Sequence, residues 1–98
     1  MSIEKKYLKS KPECRVTFSL LAKDAKKVEV AGSFNEWNGK KLVLKKYKNG
    51  KFKGSLNLPV NQSYEFKYII DGTWANEEGA DEYIWNEFAN SENSVIRI

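Results

Sequence analysis

Residues 63–74 read Ser63-Tyr64-Glu65-Phe66-Lys67-Tyr68-Ile69-Ile70-Asp71-Gly72-Thr73-Trp74. From Tyr64 to Ile70 an aromatic or aliphatic residue stands at every second position, and this period of two predicts a β-strand with one buried face. The residues between them, beginning with Glu65 and Lys67, fall on the opposite face. The dipeptide Asp71-Gly72 then predicts a turn into a brief extended piece at residues 73–75. The stretch therefore predicts a half-buried strand that leads through a turn to a tryptophan.

Other parts of the chain show the same kind of pattern. Apolar residues at alternate positions predict further strands at Cys14, Val16, Phe18 and Leu20, at Val28 and Val30, at Leu42 and Leu44, at Phe52, Leu56 and Leu58, and at residues 93–98. Because the strands are short, turn signals separate them and no helical period occurs, the sequence predicts an all-β fold, an antiparallel β-sandwich.

The segments between these strands carry expectations of their own. The dipeptide Asn49-Gly50 predicts a hairpin with a type I′ turn. Residues 76–92 are acidic and are expected to form a long loop, which usually signals ligand contact. Residues 1–11 are polar and rich in lysine, so we expect them to fray or to lie along the surface. We expect a single domain over residues 1–98, since neither a linker nor an internal repeat is evident.

The length and composition exclude several classes of protein. A (β/α)8 enzyme needs roughly 250 residues, whereas this chain has 98. No apolar run approaches the ~20 residues of a membrane span, and no secretory signal is evident at the N-terminus. The single cysteine, Cys14, cannot form an internal disulfide; inward alternation predicts a buried thiol, and we expect a reducing cytoplasm. With no histidine in the chain, Ser-His-Asp triads and histidine metal sites are excluded, and no cofactor or metal is predicted.

The charge is distributed unevenly along the chain. Residues 1–53 carry 15 Lys and Arg against 5 Asp and Glu, whereas residues 54–98 carry 2 against 8. A basic half suggests phosphate contacts. However, no helix-turn-helix, RNA-recognition or zinc-finger pattern accompanies the charge. We expect the two halves to be interleaved in a two-sheet fold, with lysines on solvated strand faces, and therefore predict no nucleic-acid partner and no membrane partner.

Two tryptophans stand next to turns. Trp37 closes the run Gly32-Ser33-Phe34-Asn35-Glu36-Trp37-Asn38, and Trp74 follows Asp71-Gly72. Indole rings on loops beside a sheet suit stacking on a flat, weakly charged ligand such as a sugar, whose hydroxyls could bond the polar side chains of Asn35, Asn38, Lys67 and Asn93. The alternative is that both rings plug the ends of a small core, because aromatic side chains dominate core burial. The spacing alone leaves both interpretations open.

Three motifs together resemble a known family. They are Val28-Glu29-Val30-Ala31-Gly32-Ser33-Phe34-Asn35-Glu36-Trp37, then Tyr64-Glu65-Phe66-Lys67-Tyr68-Ile69-Ile70-Asp71-Gly72-Thr73-Trp74, and finally Asn93-Ser94-Val95-Ile96-Arg97-Ile98. In this order they resemble the glycogen- and starch-binding modules of AMP-activated kinase β subunits, branching enzymes and isoamylases, and they look closest to short stand-alone bacterial members. The opening residues 9–18 also look like those members.

The resemblance implies a fold, a function and a set of contact residues. It implies an early-set, immunoglobulin-like β-sandwich that binds α-1,4-glucan, such as glycogen, starch or maltooligosaccharide, without cutting it. Carried over by position, Trp37 and Trp74 match the sugar-stacking tryptophans, Lys67 the sugar-contacting lysine, and Asn93 the asparagine near the last strand. The chain departs from the pattern where Ala75-Asn76-Glu77 replaces an aspartate-proline pair that many members have.

Two points remain open at this stage. Trp85 stands where stand-alone relatives look more prone to have proline; it either folds over the end of the sandwich with Tyr83, Ile84 and Phe88 or forms a third wall of the sugar site.

An independent glycoside hydrolase is not expected, since catalysis in the resembling enzymes belongs to a separate barrel. The principal alternative function is a protein-interaction or regulatory scaffold that docks glycogen-metabolising enzymes, because sandwich folds host unrelated functions.

Overall fold

The computed structural model describes residues 2–98. These residues contain nine strands and one 3₁₀ helix, which spans Gly39–Lys41. The strands are β1 (Ser2–Tyr7), β2 (Glu13–Leu21), β3 (Val28–Gly32), β4 (Lys45–Lys46), β5 (Lys51–Pro59), β6 (Ser63–Ile70), β7 (Thr73–Ala75), β8 (Glu82–Asn86) and β9 (Ser91–Arg97).

The strands form two antiparallel sheets. The first sheet has the order β1-β2-β5-β4, and the second has the order β3-β6-β9-β8 with β7 paired to β6. Strand β6 pairs with β3 along one edge, and with β9 and then β7 along the other. A hydrophobic core lies between the sheets. The predicted antiparallel, immunoglobulin-like β-sandwich is therefore confirmed.

The core is built from the alternating residues of both sheets. The predicted inward face of β2 is buried throughout, from Cys14 to Leu20, and it meets Phe66 and Tyr68 of β6. The ring of Phe18 packs edge-on against Phe66, with 5.1 Å between centroids, an arrangement worth about 0.5–1.5 kcal/mol beyond area burial. Burial also raises the pKa of the Cys14 thiol, so this cysteine acts as a small hydrophobic residue, as predicted.

Residues 2–7, which were expected to fray or to lie along the surface, form strand β1. This strand pairs with β2 from Ser2 opposite Ser19 to Tyr7 opposite Cys14. Of its side chains Ile3 packs against the core, so the segment carries little hydrophobic pattern and is held mainly by backbone pairing. Lys5 links β1 to the second sheet, because its Nζ donates to Asp81 Oδ2 (2.7 Å), just before β8, and to Arg97 O (3.0 Å) in β9.

Two predicted elements differ in the structure. The strand expected at Leu42 and Leu44 is divided between the sheets: Leu42 O accepts from Val30 N and Leu44 N donates to Val28 O, after which β4 joins β5. The prediction of a type I′ turn at Asn49-Gly50 is wrong. Such a turn requires a positive φ at both residues, and only Gly50 (84°) has one. The hairpin instead has the three-residue form that ends in a glycine bulge.

Residues 76–92, predicted as a loop, contain a strand. Strand β8 pairs with β9 from Glu82 opposite Val95 to Asn86 opposite Ser91, and it forms the edge of the second sheet. The sequence Glu82-Tyr83-Ile84-Trp85-Asn86 shows no polar alternation because its side chains are exposed or half-buried on both faces. Because β8 has no buried face, its sequence shows no period of two, and the strand could not be predicted from it.

The charged halves of the chain separate between the sheets. Strands β1, β2 and β4 of the first sheet come from the basic half, and β5 begins there at Lys51 but continues into the acidic half up to Pro59, while four of the five strands of the second sheet come from the acidic half. The expected interleaving is therefore largely wrong, since the halves mix only through β3 and through residues 54–59 of β5, which carry no charge. Among residues 2–98, no helix has the length and apolar character needed to cross a membrane, and no cluster of three or more Cys, Asp or Glu residues is placed to hold a metal ion.

Candidate functional site

The loop that presents Trp37 is held by the side chain of Asn35. Asn35 Oδ1 accepts from the N–H of Gly32 (2.9 Å), and Nδ2 donates to the carbonyl oxygen of Val30 (2.9 Å). The amide is buried, and both of its ends are hydrogen-bonded to backbone groups at the end of β3. The expectation that Asn35 bonds a ligand was therefore wrong, and its role is to fix the loop.

Trp37 itself lies in a strained turn. The N–H of Trp37 donates to Gly32 O (2.9 Å), and the N–H of Asn38 donates to Asn35 O (3.0 Å). Between these bonds, Glu36 and Trp37 have φ values of 57° and 59°, a conformation that costs non-glycine residues roughly 1–3 kcal/mol each and is concentrated at functional sites. The turn leaves the Trp37 side chain 36% exposed, so Trp37 is not a core plug.

The loop continues onto the outer face of the second sheet. Asn38, also expected to contact a ligand, caps the 3₁₀ helix with its Oδ1, which accepts from Lys40 N (3.0 Å), and it lines neither of the two grooves described below. Gly39 lies so close to the sheet that an added Cβ would stand 2.9 Å from Ile69 Cδ1. Glycine thus allows this segment to pack directly against β3 and β6, which fixes Trp37 above the sheet.

Trp74 is presented by a tight turn at the end of β6. Asp71 and Gly72 both have positive φ values (47° and 85°), as a type I′ turn requires. The Asp71 carboxylate accepts from the backbone N–H groups of Lys26 and Lys27, which anchors the turn. Trp74 then stands opposite Ile69 in the register of β6 and β7 and is 49% exposed. The core-plug interpretation is therefore wrong for this tryptophan as well.

Lys67 extends from the same outer face of β6 but is covered by its neighbours. It stands opposite Ala31 in the pairing with β3. Although its outward position predicts an exposed side chain, Lys67 is only 7% exposed. Its Nζ donates to Ser91 Oγ (2.8 Å). Among residues 2–98, no carboxylate lies within 4.0 Å of this ammonium group, which has three protons to donate.

Asn93 lies next to Lys67 on the neighbouring strand β9 and is 3% exposed. Its Nδ2 donates to Glu65 Oε1 (3.1 Å), whereas its Oδ1 has no partner within the described residues. A buried acceptor without a partner costs about 1–3 kcal/mol. Such orphaned atoms are uncommon in native proteins and call for an explanation, and either an ordered water or a hydroxyl group of a ligand would supply one.

The four residues named from the resemblance line one groove. This first groove has a volume of about 380 Å³ and is lined by Trp37, Lys67, Trp74, Asn86, Ala89, Ser91 and Asn93. Its volume lies within the range typical of small-molecule sites. The sequence does not predict Asn86, Ala89 or Ser91 as groove residues, because they lie in a segment whose pattern predicts an irregular loop.

A second groove of about 390 Å³ lies beside the first. It is lined by Ser33, Trp37, Glu65, Ile84, Trp85, Asn86, Glu87, Phe88 and Asn93. Trp85 is 58% exposed, and Tyr83, Ile84 and Phe88 are exposed as well. The expectation that these residues fold over the end of the sandwich as a buried cluster was therefore wrong. Glu65 could have been identified from the sequence, since the alternation of β6 places it on the face of Lys67.

Glu77 is a buried carboxylate outside both grooves. Its Oε1 accepts from the hydroxyl of Tyr68 (2.7 Å), its Oε2 accepts from Gly79 N (2.7 Å), and its own N–H donates to Ser94 Oγ (2.9 Å). Burial first, and then the hydrogen bond and charge of Glu77, raise the pKa of Tyr68 above its usual range. Glu77 thus anchors the segment in which the chain departs from the aspartate-proline pattern, and it does not face the grooves.

Comparison with known proteins identifies the family. A search of curated proteins found no match. A family model described as the glycogen recognition site of AMP-activated protein kinase matches residues 15–98, a range that contains every residue lining the two grooves. The chain therefore belongs to the carbohydrate-binding family of the glycogen recognition site of AMP-activated protein kinase.

Proposed function

We propose that the chain is a non-catalytic module that binds α-1,4-glucan in the first groove. The observation that carries this proposal is the meeting of two half-exposed indoles, Trp37 and Trp74, with the ammonium group of Lys67 and the orphaned Oδ1 of Asn93. Family membership supports a carbohydrate ligand, and the groove supports the roles of these four residues.

The chemistry of the groove suits a sugar chain. Indole rings provide flat apolar surfaces with a low cost in conformational entropy, and the C–H faces of glucose rings are their natural complement. The Lys67 ammonium group donates hydrogen bonds, and Asn93 Oδ1 accepts one. Because a small, open groove buries only a few sugar rings, we expect dissociation constants in the micromolar to millimolar range, roughly −4 to −8 kcal/mol.

Glycogen retardation in native gels and calorimetry with maltooligosaccharides test the proposal. We expect retardation of the wild-type chain and saturable heat, both lost on Trp37→Ala. A matched control is Tyr47→Ala, which removes a similarly exposed aromatic residue from the turn between β4 and β5 of the first sheet. Absence of any saturable signal with linear, cyclic or polymeric α-glucan would overturn the proposal.

A second candidate function is a scaffold for glycogen-metabolising enzymes, and one observation favours it. Strand β8 is an edge strand with Tyr83, Ile84 and Trp85 exposed, and unprotected edges are templates for pairing with another chain. Retention of a glucan-metabolising enzyme on the immobilised chain, unaffected by saturating maltooligosaccharide, would support this function. We further infer a cytoplasmic location, because the one cysteine is free and buried, as suits a reducing compartment.

A further inference from the structure

The second groove lies against the first along a shared boundary. Trp37, Asn86 and Asn93 line both grooves, so that Trp37 stands between two cavities of similar volume. None of the residues carried over from the resemblance other than Trp37 and Asn93 belongs to this second groove. Its own lining therefore has to be interpreted from the chemistry of the side chains.

The second groove offers hydrogen-bond acceptors. Glu65 carries a carboxylate with about four lone-pair positions, and among residues 2–98 only Asn93 Nδ2 donates to it. The groove contains a further carboxylate in Glu87 and has no lysine or arginine. This negative character disfavours an anionic ligand and suits one that donates many hydrogen bonds, as a neutral chain of hydroxyl-bearing rings does. It complements the first groove, where the charged group is the Lys67 ammonium donor.

Exposed apolar side chains form one side of the second groove. Phe88 is fully exposed at the turn between β8 and β9, and Ile84 and Trp85 are exposed on β8. The turn is held in place, because Asn86 Oδ1 accepts from the backbone N–H groups of Phe88 and Ala89. Single exposed apolar residues need no explanation, but a contiguous group beside polar residues marks a binding surface.

We propose that the second groove is an additional subsite for the same glucan chain, which continues past Trp37 towards Phe88. This inference rests on the proposed function, because it assigns the second groove to the continuation of the ligand in the first. A chain of uncharged sugar rings meets both requirements, since its hydroxyls donate to Glu65 and its apolar faces cover Phe88 and Ile84. Short oligosaccharides fill the first groove, and longer ones gain the contacts of the second.

Calorimetry on the intact chain with maltotriose and maltoheptaose tests this subsite. We expect wild type to bind maltoheptaose more tightly, and Phe88→Ala and Ile84→Ser to weaken maltoheptaose binding roughly three- to tenfold. The same variants should leave maltotriose affinity within about twofold of wild type. Both side chains are exposed, so the variants should fold, and Tyr47→Ala again serves as the control.

Each other outcome contradicts a separate part of the proposal. Equal weakening of both ligands, or no weakening of either, would overturn the second subsite while leaving the first groove as the glucan site. Equal affinity of wild type for the two ligands would do the same. If wild type binds neither oligosaccharide, the proposed function fails, and the inference fails with it.

Discussion

Lys67 Nζ and Ser91 Oγ lie 2.8 Å apart and join β6 to the start of β9 beneath the first groove. The hydroxyl is a neutral partner, so the ammonium group of this largely buried residue gains no compensating charge from it. Desolvating a charge is costly unless the charge is paired and fully hydrogen-bonded. We therefore expect this position to reduce stability in the free protein, and a ligand with several hydroxyl acceptors would offset that cost.

Lys67→Met is expected to separate binding from stability. Methionine keeps an apolar stem beneath the groove and removes the charge, so we expect weaker glucan binding with a free energy of unfolding unchanged or raised by about 1 kcal/mol. Lys67→Ala should instead also lose about 1–2 kcal/mol of stability, because the buried stem is removed as well. Urea denaturation and calorimetry measure the two quantities. Undiminished affinity in Lys67→Met would show that the ammonium group does not contact the ligand.

Trp37→Ala and Trp74→Ala should each remove most of the glucan affinity. Both side chains are substantially exposed, so the thermal midpoint should change little, whereas a buried tryptophan would lose about 3–5 kcal/mol on truncation. Thermal unfolding followed by circular dichroism, together with glycogen retardation, distinguishes the two cases. A large fall in melting temperature with unchanged retardation would show that these rings stabilise the fold and do not bind the glucan.

Asn35→Ala should reduce stability and binding together, although Asn35 does not line either groove. The change leaves the buried N–H of Gly32 and the carbonyl oxygen of Val30 without their side-chain partner, which costs about 2 kcal/mol or more. The Trp37 turn then loses its support. Asn38→Ala is the matched control, since it removes an exposed cap worth about 1 kcal/mol. Equal effects of the two variants in urea denaturation would contradict the assigned role of Asn35.

Stability is expected to fall in alkaline solution through Tyr68. Its pKa in the folded protein is raised above the usual value of 10.0 by burial and by Glu77. Above about pH 10 the unfolded chain loses this proton while the folded chain keeps it, so the free energy of unfolding decreases as pH rises. Lysines titrate in the same range, and the comparison with Tyr68→Phe isolates the tyrosine.

In this comparison the variant should start less stable, because Glu77 Oε1 loses its hydroxyl donor. The difference in unfolding free energy between wild type and Tyr68→Phe should then shrink as pH rises above 10. A difference that stays constant up to pH 11 would exclude the proposed linkage. Urea denaturation at successive pH values measures it.

Glucan affinity should depend little on salt. The ligand is neutral, so between about 50 and 200 mM salt we expect a change of less than about twofold, whereas a protein that holds six to ten phosphates loses roughly a thousandfold or more. The basic first sheet provides a direct comparison, since Lys51 and Lys53 lie in β5, away from both grooves. Lys53→Met should leave glucan affinity unchanged in calorimetry. A steep salt dependence would indicate that charge contacts dominate binding.

The sequence by itself determined the strands that have one buried face. The alternation in β2 and β6 fixed which side chains enter the core, because a period of two leaves no other arrangement once one face is apolar. It also placed Lys67 on the face opposite Phe66 and Tyr68, and Asp71-Gly72 at a tight turn. The motifs around Trp37, Trp74 and Asn93 were sufficient to recognise the family that the comparison confirmed.

The tertiary structure decided what depends on neighbours distant in the chain. Strands β1 and β8 lie at sheet edges with little buried apolar surface, so backbone pairing, which has no sequence signature, determines them. The burial of Lys67 and the orphaned Oδ1 of Asn93 arise because β6, β9 and the β8–β9 turn meet over one face. The second groove exists for the same reason, since Glu65, Trp37 and Phe88 become neighbours only when the second sheet is assembled.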